Sequence, residues 1–270
     1  MVAALHVLAL LLYGAAGAVL GASLAAARRD PPLTALFLLL GGLAAHAAGL
    51  AVFTARFGDL PLVGLGPSIS SLAFLTAVSL VAAGALKEAR PLGVVILPFV
   101  ATLCLAALLL GITPTGEHLA FGGVWFLFHV VPSLIGYAAL TLAFAAGLLY
   151  LLQFRALKGK RFGRMYRFFP PLETLDRVGR RALVTGFVAL TLGLLAGTIW
   201  TTRFAGAEGL TTKIAWGLLT WVVFALALLA RRRGVVGDRR GAAVAVIGFI
   251  VVVVAYIVLR LAVPSGRLFR

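Results

Sequence analysis

The chain is predicted to be an all-α, polytopic integral membrane protein with eight transmembrane helices and both ends outside, and three observations predict it. Of its 270 residues 62% are hydrophobic and the mean hydropathy is +1.10, far more apolar surface than a soluble core of this size would take in. The apolar residues collect into eight runs, each close to or beyond the roughly 20 helical residues that cross a hydrocarbon core of about 30 Å. The basic residues between the runs fall almost entirely on one side. Short alternating segments of the kind that build closed barrels are absent.

The runs lie near residues 3–27, 33–54, 66–86, 92–112, 122–152, 182–202, 212–230 and 241–262. No lysine or arginine precedes the first, and no small-residue cleavage site follows it, so it is expected to be a retained helix and not a signal peptide. It ends at Arg28-Arg29-Asp30-Pro31-Pro32, where charge and proline stop a helix. The third ends at Lys87-Glu88-Ala89-Arg90-Pro91 for the same reason. The fifth runs into a basic segment, 154–181, expected as a cytoplasmic loop and broken by Phe169-Pro170-Pro171. After those prolines, Leu172-Glu173-Thr174-Leu175-Asp176-Arg177 places apolar residues three apart and predicts a short interfacial helix before the sixth span. Repeats marking two transporter halves are not evident, and the glycines, 31 in all, are spread through the spans where they permit close helix packing. One integral domain over 1–270 is the simplest organisation.

A formal net charge of +16 raises the possibility of nucleic acid, but its distribution argues for topology. The connections after the first, third, fifth and seventh runs hold 2, 2, 9 and 5 Lys and Arg, against 3 in the opposite connections and 3 from the eighth run onward. This asymmetry puts the large connections in the cytoplasm, both ends outside, and the chain in the inner (plasma) membrane. Nucleic acid is not expected as a partner; anionic lipid is, at about 1 kcal/mol per basic residue near the surface.

Ionisable groups inside a bilayer are costly and tend to mark function. The acids Asp30, Asp59, Glu88, Glu117, Glu173, Asp176, Glu208 and Asp238 all lie near connections, which counts against an acid-driven pump or cation channel. Cys104 is the single cysteine, so no disulfide or redox pair exists within the chain. A small buried hydrophobe is its expected role.

Histidine is left. The expected topology puts His46 roughly 12 Å inside the outer end of the second span and His129 roughly 10 Å inside that of the fifth, counting 1.5 Å per residue. His6 enters at the outer end of the first span and His118 belongs to an external loop. Two imidazoles at matching depth can hold one iron porphyrin between them, while the plainer alternative is that each bonds a neighbouring helix. His129, Ser133 and Tyr137 recur every four residues and share a face that must point inward; the hydroxyls either position a ligand or satisfy a backbone carbonyl. Trp125, Trp200, Trp216 and Trp221 all fall in the outer half, as an interfacial belt or as an aromatic wall for a flat ligand with Phe53, Phe57, Phe121 and Phe204.

Several segments, in order, resemble those of the CcsA/ResC/CcmC cytochrome c biogenesis proteins, especially their smaller HemX-like and YpjD-like branch. His129-Val130 with Ser133 and Gly136-Tyr137 is similar to a family helix, and Gly147-Leu148-Leu149-Tyr150-Leu151-Leu152-Gln153 continues it. Pro170-Pro171-Leu172-Glu173-Thr174-Leu175-Asp176-Arg177 resembles the family's cytoplasmic segment. Gly186-Phe187, Gly193, Gly197 and Trp200 resemble its sixth helix, Trp216 to Trp221 its seventh, and Arg239-Arg240-Gly241 with Gly248-Phe249 the approach to its eighth. His46 and Ser70-Ser71-Leu72-Ala73-Phe74-Leu75 resemble its second and third helices.

The resemblance implies haem handling. It also implies partners among the cytochrome c maturation or haem-biosynthesis proteins, which 154–181 would dock. Three family features are missing. The stretch from Thr201 to Lys213 has no tryptophan or aspartate, Leu229-Ala230-Arg231-Arg232 stands where a histidine is expected after the seventh helix, and Val263-Pro264-Ser265-Gly266 where one is expected after the eighth. The expected protein is therefore a haem-binding assembly or regulatory factor and not a turnover enzyme. His129 and His46 are its expected iron ligands, and Ser133, Tyr137, Trp125, Trp200 and Trp216 its expected haem-site residues. A haem-free scaffold docking a cytoplasmic partner and a small-solute transporter are the other two classes open to such a chain.

Overall fold

The computed structural model describes residues 1–28, 32–62, 64–84, 87–114, 124–160, 163–204, 210–230 and 235–262. Their regular structure is helical: α1 Val2–Ala25, α2 Leu33–Phe57, α3 Leu65–Gly84, α4 Gly93–Leu110, α5 Val124–Lys158, α6 Arg164–Phe168, α7 Leu172–Phe204, α8 Leu210–Ala230 and α9 Val235–Ala262, with a 3-10 turn at Lys87–Leu92 before α4. Among the described residues, six stretches are long and apolar enough to cross a membrane: Val2–Ala25, Leu33–Phe57, Leu65–Gly84, Ala89–Leu110, Leu127–Lys158 and Leu172–Ile199. A shorter apolar stretch, Trp216–Ala230, lies in α8. Large apolar side chains such as Leu11, Phe37 and Leu109 stand exposed on these helices, as lipid-facing residues do. This is the architecture of a polytopic membrane protein.

Helix ends follow from local chemistry. Pro32 stands at the start of α2 with φ −64°, where its missing N–H costs nothing. Gly58 closes α2 in the left-handed conformation, φ 74°, with its N–H returned to the Thr54 carbonyl.

The basic segment 154–181 is not a loop for most of its length. α5 continues to Lys158, α6 fills 164–168, and α7 begins at Leu172. The short interfacial helix expected at 172–177 is the first turn and a half of α7. Its buried positions Leu175, Val178, Ala182 and Leu183 continue one stripe at helical spacing, so nothing interrupts the backbone.

By its contacts the chain divides into two compact units, Met1–Leu119 with Leu152–Val178, and Ala120–Leu151 with Gly179–Arg270. In the first, α1 packs on α2 and α4, α3 on α4, and α6 on α1. α1 buries Val2, His6, Ala9, Tyr13, Ala16, Leu20 and Ser23 on one stripe. Its rings fit because α2 carries glycine opposite them: a Cβ on Gly42 would stand 2.8 Å from the Tyr13 ring, and one on Gly49 would stand 2.8 Å from the His6 ring. Phe53, its ring tilted against that of Phe57 at 4.9 Å, joins Val2, Ala107 and Ile112 in a core at the α1 start.

In the second unit α5, α7, α8 and α9 meet through small residues and aromatic pairs. Gly186 of α7 leaves the space that the Phe224 ring of α8 fills, a Cβ there standing 2.5 Å from that ring. Phe144 of α5 stacks on Phe249 of α9 at 4.4 Å. The Trp221 indole N–H of α8 donates to Thr191 Oγ1 of α7 at 2.9 Å, which commits that tryptophan to helix packing.

Candidate functional site

The second unit holds His129, half-buried on α5. Its ring Nδ1 lies 2.7 Å from the main-chain oxygen of Gly193 on α7. A carbonyl only accepts, so Nδ1 carries a proton, and in the neutral ring Nε2 carries the lone pair. Among the described residues nothing hydrogen-bonds Nε2.

The seat for this ring is made of absent side chains. A Cβ on Gly197 would stand 2.5 Å from His129 Nδ1, and one on Gly193 would stand 2.5 Å from Ser133 Oγ. Ser133 donates its hydroxyl to the His129 carbonyl one turn back, at 2.6 Å, so it satisfies its own helix. Pro132, within the same turn, has no N–H to offer the carbonyl of Phe128. Tyr137 is half-buried two turns along the same face. An imidazole held through Nδ1–H to a carbonyl, with Nε2 unprotonated, is the arrangement in which metal-ligating histidines are usually oriented.

Of the tryptophans expected at a ligand wall, Trp216 lies half-buried on α8. Trp125 and Trp200 fall within α5 and α7, but their side chains, with that of Phe204, lie outside the described ones. His118 and Phe121 lie outside the described residues altogether.

His46 belongs to the first unit and is completely buried there. Its Nε2 is 2.9 Å from Ser70 Oγ of α3, and Ser70 Oγ is also 2.9 Å from Nε2 of His6 on α1. On its other side His46 Nδ1 faces Tyr13 Oη at 3.4 Å and Cys104 Sγ at 4.0 Å. The His6 and His46 rings meet edge to face at 5.0 Å, and Phe74 closes on His46 at 5.5 Å. Both ring nitrogens of His46 are therefore engaged, and the plainer reading, a bond to a neighbouring helix, describes His6, His46 and His129 alike.

One backbone carbonyl sets every proton in this cluster of neutral rings. His6 Nδ1 is 2.8 Å from the Val2 oxygen, so it donates there and its Nε2 accepts from the Ser70 hydroxyl. Ser70 has then spent its one proton and accepts from His46 Nε2–H. His46 Nδ1 is left to accept from Tyr13 and Cys104.

The sequence points to His46 but not to its partners. The signal for two of them was present, since His6 and Tyr13 lie seven residues apart on the buried stripe of α1. Ser70 and Cys104 join through contacts across 24 and 58 residues of chain, which no periodicity encodes. Among the described residues no three His, Cys, Asp or Glu side chains converge as a metal site.

A helical membrane protein with one histidine bonded to the carbonyl of a neighbouring helix and others held inside a buried polar cluster is the class that fold and site define. Residues 65–264 match the family described as cytochrome C assembly protein, and the chain belongs to that family. It is 32% identical over 149 residues to the cytochrome c biogenesis protein CcsA of Guillardia theta, covering 49% of this chain and 50% of that protein. The CcsA of Chlamydomonas reinhardtii is 34% identical over 135 residues, 49% of this chain and 37% of that one. That of Trichormus variabilis is 42% identical over 87 residues, 32% and 24% of the two chains. The chain thus spans half or less of the curated relatives it matches.

Proposed function

We propose that this protein binds haem within the membrane and serves cytochrome c assembly or the regulation of haem supply, with His129 as the iron ligand. The observation that carries this reading is the His129–Gly193 bond, which holds the ring through Nδ1 beside a Gly197 seat that a single methyl group would fill. Family membership supports the same chemistry class.

A bound haem would supply an iron centre that takes an axial imidazole. The residues present fit that group at His129. The Gly193 carbonyl would hold the ring through Nδ1–H with Nε2 turned to the iron, Gly197 gives the ring room, and Ser133 bonds the His129 carbonyl one turn back. Tyr137, Trp125, Trp200 and Trp216 are proposed to border the porphyrin. His46 enters the reading differently from its expected role, because to take an iron it would have to release Ser70, or Tyr13 and Cys104.

The charge asymmetry supports eight spans with both ends outside, in the plasma membrane. The exposed cations Arg155, Lys158, Lys160, Arg164 and Arg167 support docking of an assembly partner or anionic lipid at the cytoplasmic side. The stretch from Thr201 to Lys213, without the tryptophan and aspartate that the family resemblance leads one to expect there, supports an assembly or regulatory factor over a turnover enzyme.

The test is spectroscopic. Purified protein should carry or take up haem with a Soret band, and His129→Ala should lose most of that band while the protein remains inserted. A wild-type protein that takes up no haemin overturns the reading, and an unaltered band in the variant overturns the ligand.

A further inference from the structure

The exposed face of α7 changes character within one turn. Arg181, Val184, Val188, Leu192 and Leu195 follow one another at spacings of three or four, so they form a single row, and all are exposed. From Val184 to Leu195 the row extends roughly 16 Å at 1.5 Å per residue, about half of a 30 Å hydrocarbon core and so the depth of one leaflet. Arg181 stands where the headgroups of that leaflet begin. The cation there is uncommitted: Arg177 is paired with Glu173 at 3.0 Å and Arg180 has a partner of its own, whereas no described residue bonds Arg181. Thr185, four residues on and beside Arg181 on the helix surface, is exposed too. Inside the apolar helices Thr76, Thr102, Thr141, Thr191 and Thr220 each donate to the carbonyl four residues back. The Thr185 hydroxyl makes no such bond, nor any other among the described residues.

We propose that Arg181 and Thr185 hold the phosphodiester of one anionic phospholipid, whose acyl chains lie along Val184, Val188, Leu192 and Leu195. A guanidinium presents two parallel N–H groups, which suits two oxygens of one phosphate, and the hydroxyl one turn away donates to the same group. Both donors that the protein leaves without an acceptor then have one. A lipid fits better than a soluble acidic partner, since only an amphiphile meets the cation and the apolar row beside it in one molecule. The net charge of +16 favours an anionic headgroup over a zwitterionic one. The assignment is independent of haem: α7 need only cross the membrane, as its length and composition allow.

A second arginine in the same unit separates a site from charge alone. Arg240 of α9 is also exposed and also heads an exposed apolar row, Ile247, Val251 and Val254. Val244 stands four residues after it, where α7 has Thr185. The charge is the same and the hydroxyl is missing. A basic rim that attracts anionic lipid without a defined site would use both arginines alike, whereas the proposed site uses Arg181 together with Thr185.

Lipid binding to the purified full-length protein in detergent, counted by native mass spectrometry, tests this with phosphatidylglycerol as the probe and phosphatidylcholine as its zwitterionic counterpart. The first phosphatidylglycerol should bind more tightly than phosphatidylcholine, and Arg181→Gln should weaken it about fivefold, the worth of one basic residue at a membrane surface. Thr185→Val keeps the shape of the side chain and should weaken it by a comparable factor, while Thr185→Ser, which restores the hydroxyl, should bring it back. Arg240→Gln should leave it near the wild-type value. No preference between the two lipids, equal loss in Arg181→Gln and Arg240→Gln, or unchanged binding in Thr185→Val overturns the site. Displacement by inorganic phosphate at the concentration of the lipid would make it an anion site without a lipid, and a dimer that takes up no phosphatidylglycerol would put a second copy on this face; either overturns the lipid. Should Arg181→Gln fail to insert, Thr185→Val decides alone, because it changes no charge.

Discussion

His129 donates its Nδ1–H to the main-chain oxygen of Gly193 across the α5–α7 contact, at 2.7 Å, and Gly197 one turn on has no Cβ to obstruct the ring. The histidine is thus positioned by two residues whose contribution is a carbonyl and an empty space. A substitution that leaves His129 in place can therefore disable it.

Gly197→Ala should do so. The new methyl would stand 2.5 Å from Nδ1, forcing the ring off the Gly193 carbonyl or α7 away from α5. Overpacking of this kind costs about 1–3 kcal/mol, and the haem band should fall nearly as far as in His129→Ala. Thermal unfolding in detergent and the Soret absorbance, read together, check it; a Gly197→Ala protein with normal haem content would show that the seat does not matter.

Glycines along α1 and α2 should separate into two classes. A Cβ at Gly42 or Gly49 would come within 2.8 Å of the Tyr13 or His6 ring, whereas one at Gly14 or Gly21 meets nothing within 4 Å. Alanine at Gly42 or Gly49 should cost about 1–3 kcal/mol. Alanine at Gly14 or Gly21 should be neutral or gain up to about 1 kcal/mol from helix propensity. Equal effects at the four positions would mean that the α1–α2 contact is not as described.

Orientation should follow the basic residues. Reporter fusions after Arg167 and after Arg233 should read cytoplasmic, because the connections on that side hold most of the lysines and arginines. An external reading at either site would reverse the inferred topology and, with it, the depth assigned to His129.

The basic segment can be tested for a role beyond insertion. Replacing Lys158, Lys160, Arg161 and Arg164 by glutamine should weaken partner or lipid docking while topology holds, since Arg231, Arg232 and Arg233 still anchor the next connection on that side. Topology and cytochrome c assembly measured in the same cells distinguish the outcomes. Full assembly in correctly inserted protein would reduce these residues to anchors.

How far the sequence could be read differs between its levels. Helices such as α1 and α2 were legible to within about three residues at each end, because a bilayer demands long apolar runs and the proline pair ending at Pro32 separates the two. The last turn of α2, up to Gly58, was not legible. The family was legible too, since ordered motifs from Ser70 to Phe249 lie within the matched region. The end of α5 and the start of α7 were misjudged: their charges suggested a loop, but apolar residues at helical spacing carry each helix on. His129 was found by its spacing with Ser133 and Tyr137, yet the spacing said nothing of Gly193, which meets it across 64 residues of chain.

By itself the sequence determined an all-helical membrane protein of the cytochrome c assembly family, because hydrophobic length and local breakers act within a few residues of chain. Only the tertiary structure decided which groups hold His6, His46 and His129. A ring's proton is set by whichever acceptor stands beside it. For His129 that acceptor is a carbonyl of another helix; for His46 and His6 it is a chain of hydroxyl and carbonyl groups gathered from helices far apart in sequence.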